Sequence, residues 1–404
     1  MKSVLLATLL FFSVLTVNSQ VKILFDATKA ETANNADWII DADTWNLGYY
    51  PYAAIGGNES NPQMIPTPSQ SGITSTSQEN YWAGALSAWA VDAVQLGYYV
   101  ETLPYDGSIT YGNSSNDQDL SNYKIFIVCE PNILFTDNEK IAIMNFVQNG
   151  GGLFMISDHD NSDRNGDGYD SPYIWNDFLE NNPVQSNPFG ISFDYQYFTE
   201  TTYNTADLPN DSLLHGDYGD VTRVEFYGGT SMTLWPSQNS NIKGVVYRNG
   251  YSNTGNYGAM CAYTTYGQGR VVALGDSSPA DDGSGDNNDN LYDGWIEDAN
   301  GNHERLIINA TIWLASQQTA AITNSNQTND FKIYSSNNIC KFIYRNNSIN
   351  YYDIIFYDVM GRIIFENKNI QVNEQQVINC EGSGVYLYKI TTTKGATKTG
   401  KIIL

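Results

Sequence analysis

Residues Thr136–Asp158 read TDNEKIAIMNFVQNGGGLFMISD, a complete helix-to-strand unit. Thr136 is a natural N-cap, and Glu139, three residues on, closes a capping box. Ile141, Met144 and Val147 recur at helical spacing and are expected to face inward. Gly150–Gly152 end the helix in a tight turn, and no P-loop lysine follows them. GLFMISD is then a short apolar run that stops on Ser157 and Asp158, as a strand buried on both faces does. A helix delivering such a strand is half of an α/β unit.

The alternation continues outward from Val21 to about Ser316 and predicts an α/β domain with a mostly parallel sheet. VKILFDA is an apolar run ending near Asp26. Residues 79–97 place Trp82, Leu86, Trp89, Ala93 and Leu96 at helical spacing, ahead of the strand GYYVETL. KIFIVCE is a strand of the fully buried type, ending at Glu130. Residues 258–264 and 269–275, joined by YGQG, form a predicted hairpin that delivers RVVALGD. A last helix from about Asn302 is expected to bury Leu306, Ala310 and Trp313. Residues 181–257, rich in Asn, Tyr and Gly, read as an irregular insertion containing strands. Residues 317–330 are small and polar, a linker. Residues 331–404 give short alternating strands with Gly turns, a small C-terminal all-β sandwich. There is no internal repeat.

The N-terminus has the pattern of a signal peptide over residues 1–19. Lys2 supplies a charge, Val4–Val17 an apolar run of about fourteen residues, and Val17 and Ser19 the small residues before a cleavage at Gln20. That run is shorter than the ~20 residues a bilayer span needs, and nothing later reaches that length, so no transmembrane segment is expected. The remaining chain of about 385 residues suffices for two or three domains. With 44 acidic against 20 basic residues the net charge is −24, which repels a phosphate backbone and argues against nucleic acid as partner. Divalent cations suit the chain better, because its Asp residues gather in Gly- and Asn-rich loops. The 29 Tyr and 8 Trp fit the bias of secreted sugar-processing proteins. Four Cys make no disulfide framework. Cys129 and Cys261 lie in apolar runs and read as buried small hydrophobes. Cys340 and Cys380 share the last domain, and their pairing is left open by the sequence.

Four strands of the large domain end on acidic residues. The first ends on Asp26, with Glu31 close behind; the second on Glu130. The third ends on Asp158, His159 and Asp160, and the fourth on Asp276, Ser277 and Ser278. In an open parallel sheet these ends share one edge, where ligands bind. Taken singly, each is better read as a loop-starting acidic residue; together they point to one site. In SDRNGDGYD, Asp163, Asn165 and Asp167 alternate ahead of Gly168, like the first half of a calcium loop. Ile174 stands at the twelfth position and rules out a standard EF-hand; Asp170 or Asp177 can supply the missing oxygen of a non-standard site, and an Asx-rich turn with no metal is the equal alternative. A second acidic loop spans Asp281–Asp293. His159 is the best imidazole ligand or acid/base, His303 opens the last helix near the same edge, and His215 belongs to a turn. Ser157 and Ser277 lack a G-x-S-x-G elbow.

These residues give as leading expectation a secreted metal-dependent hydrolase acting on a substrate such as a glycan. Glu130 would be its general base, with Asp158, His159 and Asp276 completing the catalytic set. The expected metal ligands are Asp26, Asp158, His159, Asp160, Asp163, Asn165, Asp167, Asp170 and Asp276, for calcium in the acidic loops and for Ca²⁺, Mg²⁺, Mn²⁺ or Zn²⁺ in the crevice. The alternative is a non-catalytic, calcium-stabilised glycan-binding or surface scaffold module whose Tyr and Trp faces do the binding.

The Thr136–Asp158 unit resembles the helix–GGG–strand unit of the glutamine-amidotransferase-like superfamily, which includes ThuA-like, GIFT and GldG-like domains. FDATKAE at Phe25–Glu31 and the late GQGRVVALGDSS are similar to its first and last strands. The resemblance covers residues 21–316 and implies a flavodoxin-like three-layer α/β/α fold. Where the family's nucleophilic Cys should stand, this chain has Ser157-Asp158-His159, which puts Cys-based glutaminase activity out of reach. Residues 331–404 resemble the type IX secretion C-terminal sorting domain, type A. IIFYDVMGRIIFE matches its central strand–turn–strand and GSGVYLYKITTTKGATKTGKIIL its closing strands, while Tyr334-Ser335-Ser336-Asn337-Asn338 replaces the usual Pro-Asn-Pro. This implies passage through the periplasm and outer membrane by the type IX machinery, removal of the domain, and release or surface attachment.

Overall fold

The structure is a computed structural model. It describes residues 20–33, 36–42, 65–283, 294–298 and 300–316 of the first part of the chain. Of the last part it describes 331–336, 339–344, 351–358, 361–371, 375–379, 385–393 and 397–403. The expected signal peptide, the linker and Cys380 lie outside the described residues. The chain divides into two compact units, Met1–Gln318 and Thr319–Leu404.

The first unit is built on one ten-stranded sheet. Its strands and helices run β1 (Lys22–Asp26), α1 (Ser87–Gln95), β2 (Tyr99–Leu103), β3 (Ile125–Cys129), α2 (Asp137–Gln148), β4 (Gly152–Ile156) and α3 (Ser171–Glu180). There follow β5 (Ile191–Phe193), β6 (Phe198–Thr202), β7 (Val224–Gly229), β8 (Met232–Leu234), β9 (Lys243–Tyr247), β10 (Ala259–Tyr266), β11 (Gly269–Leu274) and α4 (Asn302–Ala315). The sheet order is β2-β1-β3-β4-β11-β10-β8-β5, with β9 also on β10 and the short strand Asn204–Thr205 on β9. Strands β2 to β11 in that order are parallel. From β10 onward every pairing is antiparallel. The sheet is therefore mixed, not mostly parallel as expected. The insertion adds its own strands to the sheet's far side, because it feeds β5, β8 and β9 onto the edge that the β10–β11 hairpin leaves open. Strands β6 and β7 pair only with each other, as a separate ribbon.

Residue chemistry explains the main elements. β3 and β4 are buried throughout, in keeping with their apolar runs. α2 starts at Thr136 with the expected capping box. Its inward residues are Ile143, Met144, Phe146 and Val147, whereas Ile141 is exposed. α1 is shorter than the periodicity suggested. It is preceded by a single 3-10 turn, Glu79–Tyr81, and Trp82 lies outside it. Gly84 explains the late start: a Cβ there would sit 2.1 Å from the Ile39 carbonyl oxygen, so the chain must pass flat against residues 39–40 before helix begins. Leu96 is exposed beyond the helix end. Trp89 of α1 packs edge-on against Phe25 and Phe154 at 5.4 and 5.1 Å, and its indole donates to Thr311 Oγ1 of α4. α2 and α3 are tied by Lys140 to Asp177 at 2.7 Å. Trp313 is only partly buried; it packs on Tyr263 with the Arg270 guanidinium over its ring. Cys129 and Cys261 are buried free thiols, as expected.

The second unit is antiparallel β structure. Phe331–Ser336, Ile339–Tyr344 and Gln375–Asn379 form one sheet, and Ile363–Gln371, Tyr351–Asp358, Val385–Thr392 and Thr397–Ile403 another. Tyr351–Asp358 alternates exposed or half-buried with buried residues, the period of a strand with one face on a core. Among the described residues of the chain, no helix is long and apolar enough to cross a membrane.

Candidate functional site

Parallel pairing carries three acidic strand ends to one level. Cys129 pairs with Ile156 and Ile156 with Leu274, so Glu130, Asp158 and Asp276 emerge side by side at the carboxyl edge. Glu130 is fully buried and held in a left-handed backbone, φ +50°, a conformation that costs a residue with a Cβ about 1–3 kcal/mol. Its Oε2 accepts from the Trp38 indole at 2.9 Å and from Ser277 Oγ at 2.8 Å. Its Oε1 accepts from Arg164 Nε at 3.0 Å, and Arg164 Nη2 donates to Asp158 Oδ2 at 2.8 Å. One guanidinium thus bridges two strand-end carboxyls.

Burial and the neighbouring Asp158 charge push the Glu130 carboxyl up to about 8, against the pull of Arg164. Asp158 is lifted to about 7, again mainly by burial, with Arg164 opposing and Asp276 adding to the rise. Asp276 is also lifted by burial to about 7. Its oxygens accept from the Tyr227 and Ser278 backbone N–H groups at 2.6 and 2.9 Å. At neutral pH this group therefore holds protons that ordinary carboxyls would have lost.

Asp26, expected in the same crevice, belongs to a second arrangement. It shares a hydrogen bond with Glu31, and burial raises both carboxyls. Asp26 Oδ2 and Glu31 Oε1 have no N–H or O–H donor, consistent with a proton held between the two acids. Lys29 closes that corner through Glu139 at 2.6 Å. Asn132 joins the two arrangements. Its amide donates to the carbonyls of Ala30, Thr32 and Glu130, and its oxygen accepts from the Arg164 backbone.

The ribbon of β6 and β7 covers the edge. Tyr227 N–H reaches down to Asp276, Ser278 Oγ donates to the Tyr227 carbonyl, and Thr230 N–H donates to the Gly275 carbonyl at 2.7 Å. Glu225 N–H donates to Nε2 of His303 at 2.8 Å. His303 is fully buried and not a crevice ligand: its ring pins the ribbon to α4, and burial lowers its pKa. His159 stays at the rim, its Nδ1–H donating to the Asp160 carbonyl and its ring edge-on to Tyr197 at 4.3 Å. His159 Nε2 lies 3.6 Å from Asp158 Oδ2, and burial lowers its pKa, so it is neutral at pH 7.

The acidic loop folds around its own carboxylates. Asp163 accepts from the N–H groups of Gly166, Asp167 and Gly168. Asn165 and Asp167 accept from Asp167 N–H and Tyr169 N–H. Asp170 caps α3 through Tyr173 N–H and also takes Asn161 N–H, while Asp160 accepts from the Asn161 amide. These oxygens keep further lone pairs, although among the described residues no group of three or more His, Cys, Asp or Glu is placed to hold a metal ion. The Glu130–Asp158 crevice suits one less well, because Arg164 already lies between its oxygens. Of the second acidic loop, residues 284–293 lie outside the described residues; Asp282 is spent on the Ala88 N–H at the start of α1. Arg164, Trp38 and the Tyr227 N–H are the functional groups that sequence reasoning missed. The one available signal was Arg164 itself, the lone cation inside SDRNGDGYD.

No family model matches the chain, and no curated protein matches it. Among solved structures, the mmIFT52 N-terminal domain is similar over 61% of this chain and 96% of its own, at 13% identity and TM-score 0.39. A DUF3244 family protein with an immunoglobulin-like β-sandwich fold from Bacteroides vulgatus is similar over 19% of this chain and 83% of its own, at 16% identity and TM-score 0.17. Likenesses this distant carry no argument about function.

Proposed function

We propose that the protein is an exported, non-catalytic glycan-recognition module, with the α/β layers as scaffold and the insertion as binding face. One observation carries this reading. The acidic strand ends are sealed beneath β7 and bridged by Arg164, while the insertion turns Tyr195, Tyr203, Trp235, Tyr251 and Tyr257 outward. Buried carboxyls closed off by their own partners are out of a ligand's reach, whereas exposed aromatic faces are open to one. A flavodoxin-like three-layer arrangement, as in glutamine-amidotransferase-like domains, is supported by the crossovers. β1–α1–β2 and β3–α2–β4 run in opposite directions along the sheet, and right-handed connections then put α1 and α2 on opposite faces. Calcium at Asp163, Asn165 and Asp167 belongs to the proposal as a stabiliser of the loop beside Arg164. So does delivery by the type IX machinery, with residues 331–404 as its tag.

A second reading, a hydrolase with Glu130 as acid/base, is favoured by the strained backbone and retained proton at that residue. Glycan-array binding and turnover of every hit, with and without EDTA and in Glu130→Gln, separate the two. We expect binding without turnover, unchanged in Glu130→Gln, and a lower melting temperature in EDTA. Turnover abolished by Glu130→Gln would establish the hydrolase and overturn our reading.

A further inference from the structure

We propose that the hollow between the end of β5 and residues 251–258 binds a neutral saccharide, one sugar ring lying against tyrosine faces above Asp194. The inference rests on the recognition-module reading and adds to it the site and the ligand class. The hollow measures about 380 Å³, within the roughly 300–1,000 Å³ of small-molecule sites. Tyr195, Tyr251 and Tyr257 wall it, 54%, 41% and 62% exposed, over a floor of Phe193, Asp194, Gln196 and Thr233.

Both wall and floor are built. The Tyr251 ring rests on Gly258, whose φ is +73° and whose Cβ, if present, would lie 2.4 Å from the ring; Asn204 holds the Tyr251 carbonyl at 2.8 Å. Only glycine lets that ring lie so close to the backbone. On the floor, Asp194 Oδ2 accepts from Ser231 Oγ at 2.6 Å and Oδ1 from Thr233 Oγ1 at 2.8 Å. A carboxylate offers about four acceptor positions, so the two hydroxyls fix its orientation and leave acceptor positions unused on a residue that lines the hollow. Gln196 is fixed in turn by Arg248 at 2.7 Å.

These groups select a chemistry. Tyrosine faces take the C–H face of a pyranose ring, and a carboxylate accepts from its hydroxyls. Among the described residues lining the hollow there is no lysine or arginine, and the nearby Arg248 is engaged by Gln196 and Glu200. A uronate or sulfated sugar would meet Asp194, and the nearest guanidinium, Arg248, 5.9 Å from the Tyr251 ring centre, is already paired with Glu200, in a chain of net charge −24. The ligand is therefore neutral.

The test uses the purified full chain and calorimetric titration with neutral disaccharides of glucose, mannose, galactose, xylose and N-acetylglucosamine, with glucuronic acid as anionic control. At least one neutral sugar should bind and glucuronic acid should not. Tyr257→Ala and Asp194→Asn should each weaken binding about tenfold or more, while Tyr257→Phe keeps it. Tyr257 is too exposed for its loss to unfold the chain, and melting curves of all three variants check this. Binding untouched by Tyr257→Ala and Asp194→Asn overturns this site and leaves the recognition reading standing. Tighter binding of glucuronic acid overturns the neutral class. No binding to any sugar here or on a glycan array overturns both the site and the reading beneath it.

Discussion

Arg164 is the residue on which the carboxyl edge depends. Removing one member of a buried ion pair costs about 3–5 kcal/mol, because the partner charge stays buried. Arg164→Met keeps most of the side-chain volume and removes the cation, so urea denaturation should show a loss that approaches that size above about pH 8, where Asp158 and Glu130 are both ionised. The loss should shrink in acid, where Glu130 and Asp158 are neutral and need no counterion. Glu130 makes a second prediction. Its folded carboxyl is raised to about 8 from an ordinary 4.5, so between these values the folded state holds a proton that the unfolded state has lost. Stability from this group is full below about pH 4.5 and is lost as pH rises towards 8. Denaturation midpoints should therefore fall across that window, and fall less in Glu130→Gln. The strand-end acids were legible because each terminates an apolar run. Arg164 and Trp38 were not, since nothing local links a loop Arg or a Trp 92 residues upstream to Glu130.

At the scale of elements, the ribbon of β6 and β7 converts an open crevice into a closed one. Gly275 permits this: a Cβ there would stand 2.0 Å from the Thr230 carbonyl oxygen. Gly275→Ala should lift the ribbon off the edge. Amide exchange should then accelerate at Thr230 and Tyr227, whose N–H groups bond Gly275 and Asp276. Unchanged protection would show that the ribbon does not depend on that contact. The α/β alternation was readable from caps, glycines and apolar runs. The insertion was not, because β5 and β8 are three residues each and too short to show a period of two. Its strands are set by the β10 edge they join, which is tertiary information.

At the scale of the whole molecule, the chain is two compact units. The first holds every group discussed as a site, and the second is antiparallel β structure, as the short alternating strands of residues 331–404 predict. If residues 331–404 are a delivery tag, intact-mass analysis of the protein collected outside its producing cell should find a chain starting at Gln20 and lacking that segment. A secreted form that retains it would make the second unit part of the working protein. The net charge of −24 belongs to this scale too: part of it is cancelled locally, since burial raises Glu130 to about 8 and Asp158 and Asp276 to about 7, which leaves the first mostly and the other two partly protonated at neutral pH.

The Trp38–Glu130 hydrogen bond gives the carboxyl edge an optical reporter. Indole emission responds to a charge placed beside the ring, and Trp38 is almost wholly buried, with its N–H 2.9 Å from the carboxyl that titrates. Fluorescence of the native chain minus that of Trp38→Phe isolates one signal among eight tryptophans. Its pH dependence reads the ionisation of Glu130 inside the folded protein, without a substrate, a ligand or an assay.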